Sequence, residues 1–109
     1  MVYIDNKYNE RIISNIISKT MIDSVIYYNK YDKYFIVMDN KYLYLLDNKY
    51  REIFKVDKIK IYDNINNYDI IYKNDLFMYM KDYYKNDKLI YEYYDLYTYE
   101  LIDKVVLGG

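Results

Sequence analysis

The sequence predicts an α+β fold: one N-terminal amphipathic helix packed on a mainly antiparallel meander sheet of six or more strands. An all-β sandwich or barrel with an appended helix is the alternative. Apolar residues between Asn9 and Ile22 recur at helical spacing. After Ile22 come short runs of β-branched and aromatic residues, the side chains that suit a pleated surface. Asn and Asp clusters separate those runs at intervals of roughly eight to twelve residues, the rhythm of strands joined by tight turns.

The helix rests on Ile12, Ile13, Ile16, Ile17 and Met21, which fall on one side at 3.6 residues per turn. Asn9 is its expected N-cap, with Glu10 in the first turn near the positive end of the helix dipole. β-branched isoleucines are mediocre helix formers, so tertiary packing must hold the segment helical.

Strands are expected at Val25 to Tyr28, Tyr34 to Met38, Tyr42 to Leu46, Arg51 to Val56, Lys58 to Tyr62, Ile70 to Tyr72, Leu76 to Met80, Leu89 to Tyr93 and Tyr97 to Ile102. The turns between them have no glycine to use before Gly108. Asn and Asp are the other residues that best tolerate positive φ, and they occur as Asp39-Asn40, Asp47-Asn48, Asn66-Asn67, Asn74-Asp75 and Asn86-Asp87. The tetrapeptide Asp-Asn-Lys-Tyr, present at 5–8, 39–42 and 47–50, reads as turn chemistry used repeatedly. The expected core is the isoleucine face of the helix with Phe35, Val37, Leu43, Leu45, Phe54, Val56, Leu76, Met78 and Met80.

A chain of 109 residues with no Pro, Gly or Ser-rich linker reads as a single compact β-rich domain, 1–109. A propeller blade would also give short strands, but one blade cannot bury its own face. The net charge of −1 sets up no field for nucleic acid or an anionic membrane. Without cysteine there is no disulfide and no thiolate metal site, which suits an intracellular protein. No apolar run reaches the roughly 20 residues of a membrane span, and Met1 to Asp5 lacks the features of a secretory signal. The expected location is cytoplasmic, without membrane association.

Lys, Asn, Ile and Tyr abound while Ala, Pro, Gly and Arg are scarce or missing, the pattern of AT-rich coding. AT-rich bacteria, their phages and plasmids, and large DNA viruses share that bias.

With no His or Cys, the usual neutral-pH base, soft metal ligand and strong nucleophile are all missing. Ser14 and Ser18 sit four apart on a solvated helix face. Glu52, Glu92 and Glu100 lie in strands, but no spacing pairs them, so a carboxylate-based enzyme is only a residual alternative. The run Asp63 to Asp69 is rich in oxygen ligands yet fails the EF-hand spacing at Ile65, Tyr68 and Asn74. Phosphate cradles need interior glycines. The reading is a protein without catalytic residues, metal or cofactor.

Two binding surfaces are expected. Exposed tyrosines are typical interface anchors, and with 20 of them many must lie at the surface. Tyr83, Tyr84, Tyr91 and Tyr93 are the candidate partner-binding residues. Lys55, Lys58, Lys60 and Tyr62, which interleave bases and an aromatic, are the nucleic-acid alternative. The leading expectation is a non-catalytic protein-binding module: a small inhibitor or accessory protein from an AT-rich phage, virus or mobile element, of anti-CRISPR, other anti-defence or immunity type. Its partner would be a larger protein. A nucleic-acid-binding accessory protein and a self-associating structural subunit, a homo-oligomer, are the alternatives.

Overall fold

The computed structural model describes residues 6–61 and 69–108. It is an α+β protein with one long helix and two four-stranded antiparallel sheets, each a meander in which every strand pairs with its neighbours in sequence. The chain divides into two compact units, residues 1–57 and 58–109, with one sheet in each.

In the first unit, α1 (Asn6–Lys19) precedes β1 (Tyr27–Tyr31), β2 (Tyr34–Met38), β3 (Tyr42–Asp47) and β4 (Glu52–Asp57). The helix starts three residues before the expected cap, and its first turn contains no acid. Asn9 therefore lies inside the helix, where its side chain accepts a hydrogen bond from the Tyr28 hydroxyl of β1. A tertiary partner displaced the local capping role. The helix ends at Lys19 because Thr20 closes it: the Thr20 hydroxyl donates to the Ile16 carbonyl and accepts from the Ile22 N–H, 3.0 Å away.

Ile12 and Ile16 from α1 join Ile22, Phe35, Val37, Tyr44 and Leu46 in one buried cluster, with Val25, Tyr28, Tyr42 and Tyr50 packed around it. Register explains the grouping, since Phe35 faces Leu46 and Val37 faces Tyr44 across β2 and β3, all on one side of the sheet. Ile36, Met38, Leu43, Leu45 and Val56 point the other way and are buried too. Central strands buried on both faces read as unbroken apolar runs, as Tyr34 to Met38 and Tyr42 to Leu46 do. Of the expected core residues in this unit, Ile13 and Phe54 are only half-buried, and Ile17 and Met21, 44% and 95% exposed, lie outside the core.

The second unit opens with a single helical turn, α2 (Lys58–Ile61), where a strand over Lys58 to Tyr62 was expected. The alternation Lys-Ile-Lys-Ile suits a strand, but strand propensity is realised only against a partner, and none pairs with this segment among the described residues. Tyr62, the Asn66-Asn67 turn and most of the Asp63 to Asp69 run lie outside the described residues. Then come β5 (Ile70–Lys73), β6 (Leu76–Lys85), β7 (Lys88–Asp95) and β8 (Leu101–Leu107). β6 was expected to send Leu76, Met78 and Met80 inward; it buries Phe77 and Tyr79 instead. Period two fixes which residues share a face, not which face is inside. Ring packing decides it here: Phe77 stacks on Tyr72 at 4.4 Å and Tyr79 on Tyr94 at 5.1 Å.

Of the expected glycine-free turns, Asn74-Asp75 and Asn86-Asp87 use left-handed Asn and Asp, whereas Asp39-Asn40 and Asp47-Asn48 do not take positive φ. Asn74-Asp75 and Asn86-Asp87 have positive φ at both positions, 53° and 61° in the first and 54° and 62° in the second, the two-residue geometry that matches strand twist. Asp32 takes φ 56° between β1 and β2. The remaining turns are organised by an aspartate side chain. Asp39 Oδ1 accepts from the N–H groups of Lys41 and Tyr42, Asp47 Oδ1 from those of Lys49 and Arg51, and Asp95 Oδ1 from those of Tyr97 and Thr98. The Asp-Asn-Lys-Tyr copies at 39–42 and 47–50 thus do repeat one turn chemistry. In the third copy, residues 6–8 are helical.

Candidate functional site

The four candidate tyrosines all lie on β6 and β7. Met80 stands opposite Tyr93, Asp82 opposite Tyr91, and Tyr84 opposite Leu89. Directly opposed residues share a face, as do alternate residues along a strand. Tyr84, Tyr91 and Tyr93 therefore lie on the same face of the second sheet as Met78, Met80 and Leu89. β8 extends that face with Val105 opposite Tyr91 and Leu107 opposite Leu89. Tyr84 is 75% exposed; Tyr91, Tyr93, Met78, Met80 and Leu89 are each half-buried against their neighbours. The result is a broad aromatic and thioether surface with three acids on it, Asp82 from β6, Asp95 from β7 and Asp103 from β8.

Tyr83 does not join it. It pairs with Ile90 and lies on the opposite face with Tyr79, Lys81, Glu92 and Tyr94. There Glu92 accepts a hydrogen bond from the Tyr94 phenol at 2.9 Å. Burial and the bond to Glu92 push Tyr94 up to about 12, and burial and the nearby Glu92 carboxylate raise Tyr83. The Lys81 ammonium lies 5.3 Å from the Tyr94 ring centroid and 5.8 Å from that of Tyr79. Phenols held protonated this way donate hydrogen bonds; they are not poised to act as nucleophiles or bases at neutral pH. Glu92 was noted in the sequence as a strand carboxylate; Tyr94 lies two residues on along the same strand and so on the same face, whereas the nearness of Tyr83 depends on cross-strand register that the sequence alone does not reveal.

The basic alternative is divided. Lys55 belongs to β4 in the first unit, with its ammonium 4.5 Å from the Tyr42 ring centroid. Lys58 and Lys60 are in α2, so the strand alternation that was to align them with Tyr62 is replaced by a helical turn. No helix among the described residues is long and apolar enough to cross a membrane.

The chain matches no protein-family model, no curated protein and no solved structure. Its function must be argued from its own surfaces.

Proposed function

We propose that this protein is a non-catalytic binding module that acts by occupying a surface on a larger partner protein. The supporting observation is the shared face of Tyr84, Tyr91 and Tyr93, continued by Met78, Met80, Leu89, Val105 and Leu107. Tyrosine and methionine offer large contact area, and tyrosine loses little rotamer entropy when it is ordered. The missing His and Cys and the AT-rich composition fit a small inhibitor or accessory protein of a phage, virus or mobile element, of anti-defence or immunity type, working in the cytoplasm of its host cell.

The test is affinity purification of the tagged protein from its host, with nuclease treatment, comparing wild type with a Tyr84→Ala/Tyr91→Ala/Tyr93→Ala variant. The expected result is one stoichiometric, nuclease-resistant partner that the variant loses, while Tyr83→Phe on the opposite face retains it. Turnover of the partner, loss of binding with nuclease, or undiminished capture by the triple variant would each overturn the reading.

A further inference from the structure

β8 is the outer strand of the second sheet, and all seven of its residues are exposed. Leu101, Ile102, Val105, Val106 and Leu107 are 36–51% exposed, so both of its faces present large apolar side chains. Soluble proteins blunt such edges with charge, brevity or cover. The other outer strands do so: β4 carries Glu52, Lys55 and Asp57, β5 has only four residues, and β1 is half-buried apart from Lys30.

The free main-chain groups of β8 can be read off its hydrogen bonds. The Asp95 N–H donates to the Glu100 carbonyl, and Asp103, Val105 and Leu107 stand opposite Tyr93, Tyr91 and Leu89. Alternation from the Asp95–Glu100 pair directs the main chain of those three residues toward β7 and that of Lys104 and Val106 outward. The Lys104 N–H agrees, because its acceptor is the neighbouring Asp103 carboxylate, 2.8 Å away. Asp103 therefore caps an outward donor of the edge. Asn29 caps Lys30 in the same way on β1.

We propose that β8 is a self-association edge: a second copy of this chain adds antiparallel to it about a two-fold axis at Val105, and the Asp103 cap keeps that association weak. Two-fold symmetry requires opposed residues to be of equal parity, because both copies of a residue lie on the same face. An axis at Asp103 sets aspartate against aspartate, and one at Lys104 sets lysine against lysine. An axis at Val105 avoids both. It pairs five residues, with Val105 facing its copy, Lys104 facing Val106 and Asp103 facing Leu107. The Lys104 charge keeps Glu92 as its cross-strand neighbour on β7. Pairing β8 with a different edge would leave another β8 open and grow without limit, whereas self-pairing closes.

The chain has no cysteine, so single-cysteine variants report the register directly. Val105→Cys should form a disulfide-linked dimer under mild oxidation, because two-fold mates in a non-hydrogen-bonded pair lie about 4.5 Å apart. Asp103→Cys and Lys104→Cys should cross-link far less. In sedimentation equilibrium the full chain should dimerise reversibly, at roughly tens of micromolar for so small an interface. Asp103→Ala should tighten the dimer about tenfold by freeing one N–H per copy, and Val105→Lys should leave monomers with an unchanged circular dichroism spectrum. Asp103→Asn, which keeps a capping oxygen, should match wild type. Cross-linking that peaks at 103 or 104, an Asp103→Ala variant that stays monomeric, or association that survives Val105→Lys overturns the proposal. The Tyr84→Ala/Tyr91→Ala/Tyr93→Ala variant leaves β8 unchanged and should still dimerise, so failure of this proposal is distinguishable from failure of the protein-binding reading.

Discussion

Asp39 does two jobs with one carboxylate. Its Oδ1 organises the turn between β2 and β3, and its Oδ2 accepts the Tyr44 hydroxyl at 2.7 Å from within the first unit's buried cluster. Burial and that bond raise the Tyr44 phenol well above its ordinary range. Tyr44→Phe keeps the ring and deletes only the donor, so it should lower stability by about 1 kcal/mol in urea denaturation, the net worth of one hydrogen bond. Asp47 repeats the theme at the next turn, where N–H groups from Arg51 and Lys49 and the Arg51 guanidinium hold its carboxyl below the usual range. Tyr50 and Tyr99 depart from the Asn and Asp rule, taking φ of 65° and 66°. For Tyr50 the strain is offset by packing, since its ring stacks on Phe35 at 5.3 Å and lies beneath the Lys19 ammonium.

Among the elements, the hairpins with two left-handed residues are the easiest to perturb. A non-glycine residue at positive φ carries a penalty of roughly 1 kcal/mol that glycine lacks. Asp87→Gly should therefore stabilise the β6–β7 hairpin by up to about 1 kcal/mol, less whatever the more flexible unfolded chain takes back. Asp87→Val should destabilise it by at least that much, and urea midpoints for the pair give the comparison. Tyr34 to Met38 is found at its expected bounds because a five-residue apolar run between turn residues leaves no choice of register. Lys85 and Asp95 extend β6 and β7 beyond expectation because charged residues can continue a strand once a partner supplies the hydrogen bonds. Lys58 to Ile61 went the other way for want of such a partner. The tyrosine face was half legible: alternation puts Tyr91 and Tyr93 together, but only pairing across β6 and β7 adds Tyr84 and sends Tyr83 away.

Taken over the whole molecule, Tyr28, Tyr44, Tyr79, Tyr83 and Tyr94 all ionise above the ordinary 10.0, with burial the leading cause for each. The unfolded chain gives up these protons first as pH rises, so their stabilisation is complete below pH 10 and drains away above it. The urea midpoint should fall steeply between pH 10 and about 12, and Tyr94→Phe should flatten that fall. Phenolate absorbance followed in the same samples should show a late-titrating class of tyrosines that merges with the rest on unfolding.

The meander has a kinetic side as well. Because each strand pairs only with its chain neighbours, every hairpin can close a short loop before any distant segment has to be found. Low contact order of this kind places a β-rich chain toward the fast end of its class. The sequence contains no proline, so no prolyl isomerisation can hold folding back for tens of seconds. An apolar strand such as β8 is most hazardous while its neighbour β7 is still unformed. In this topology that neighbour is only a turn away, and the hazard is correspondingly brief.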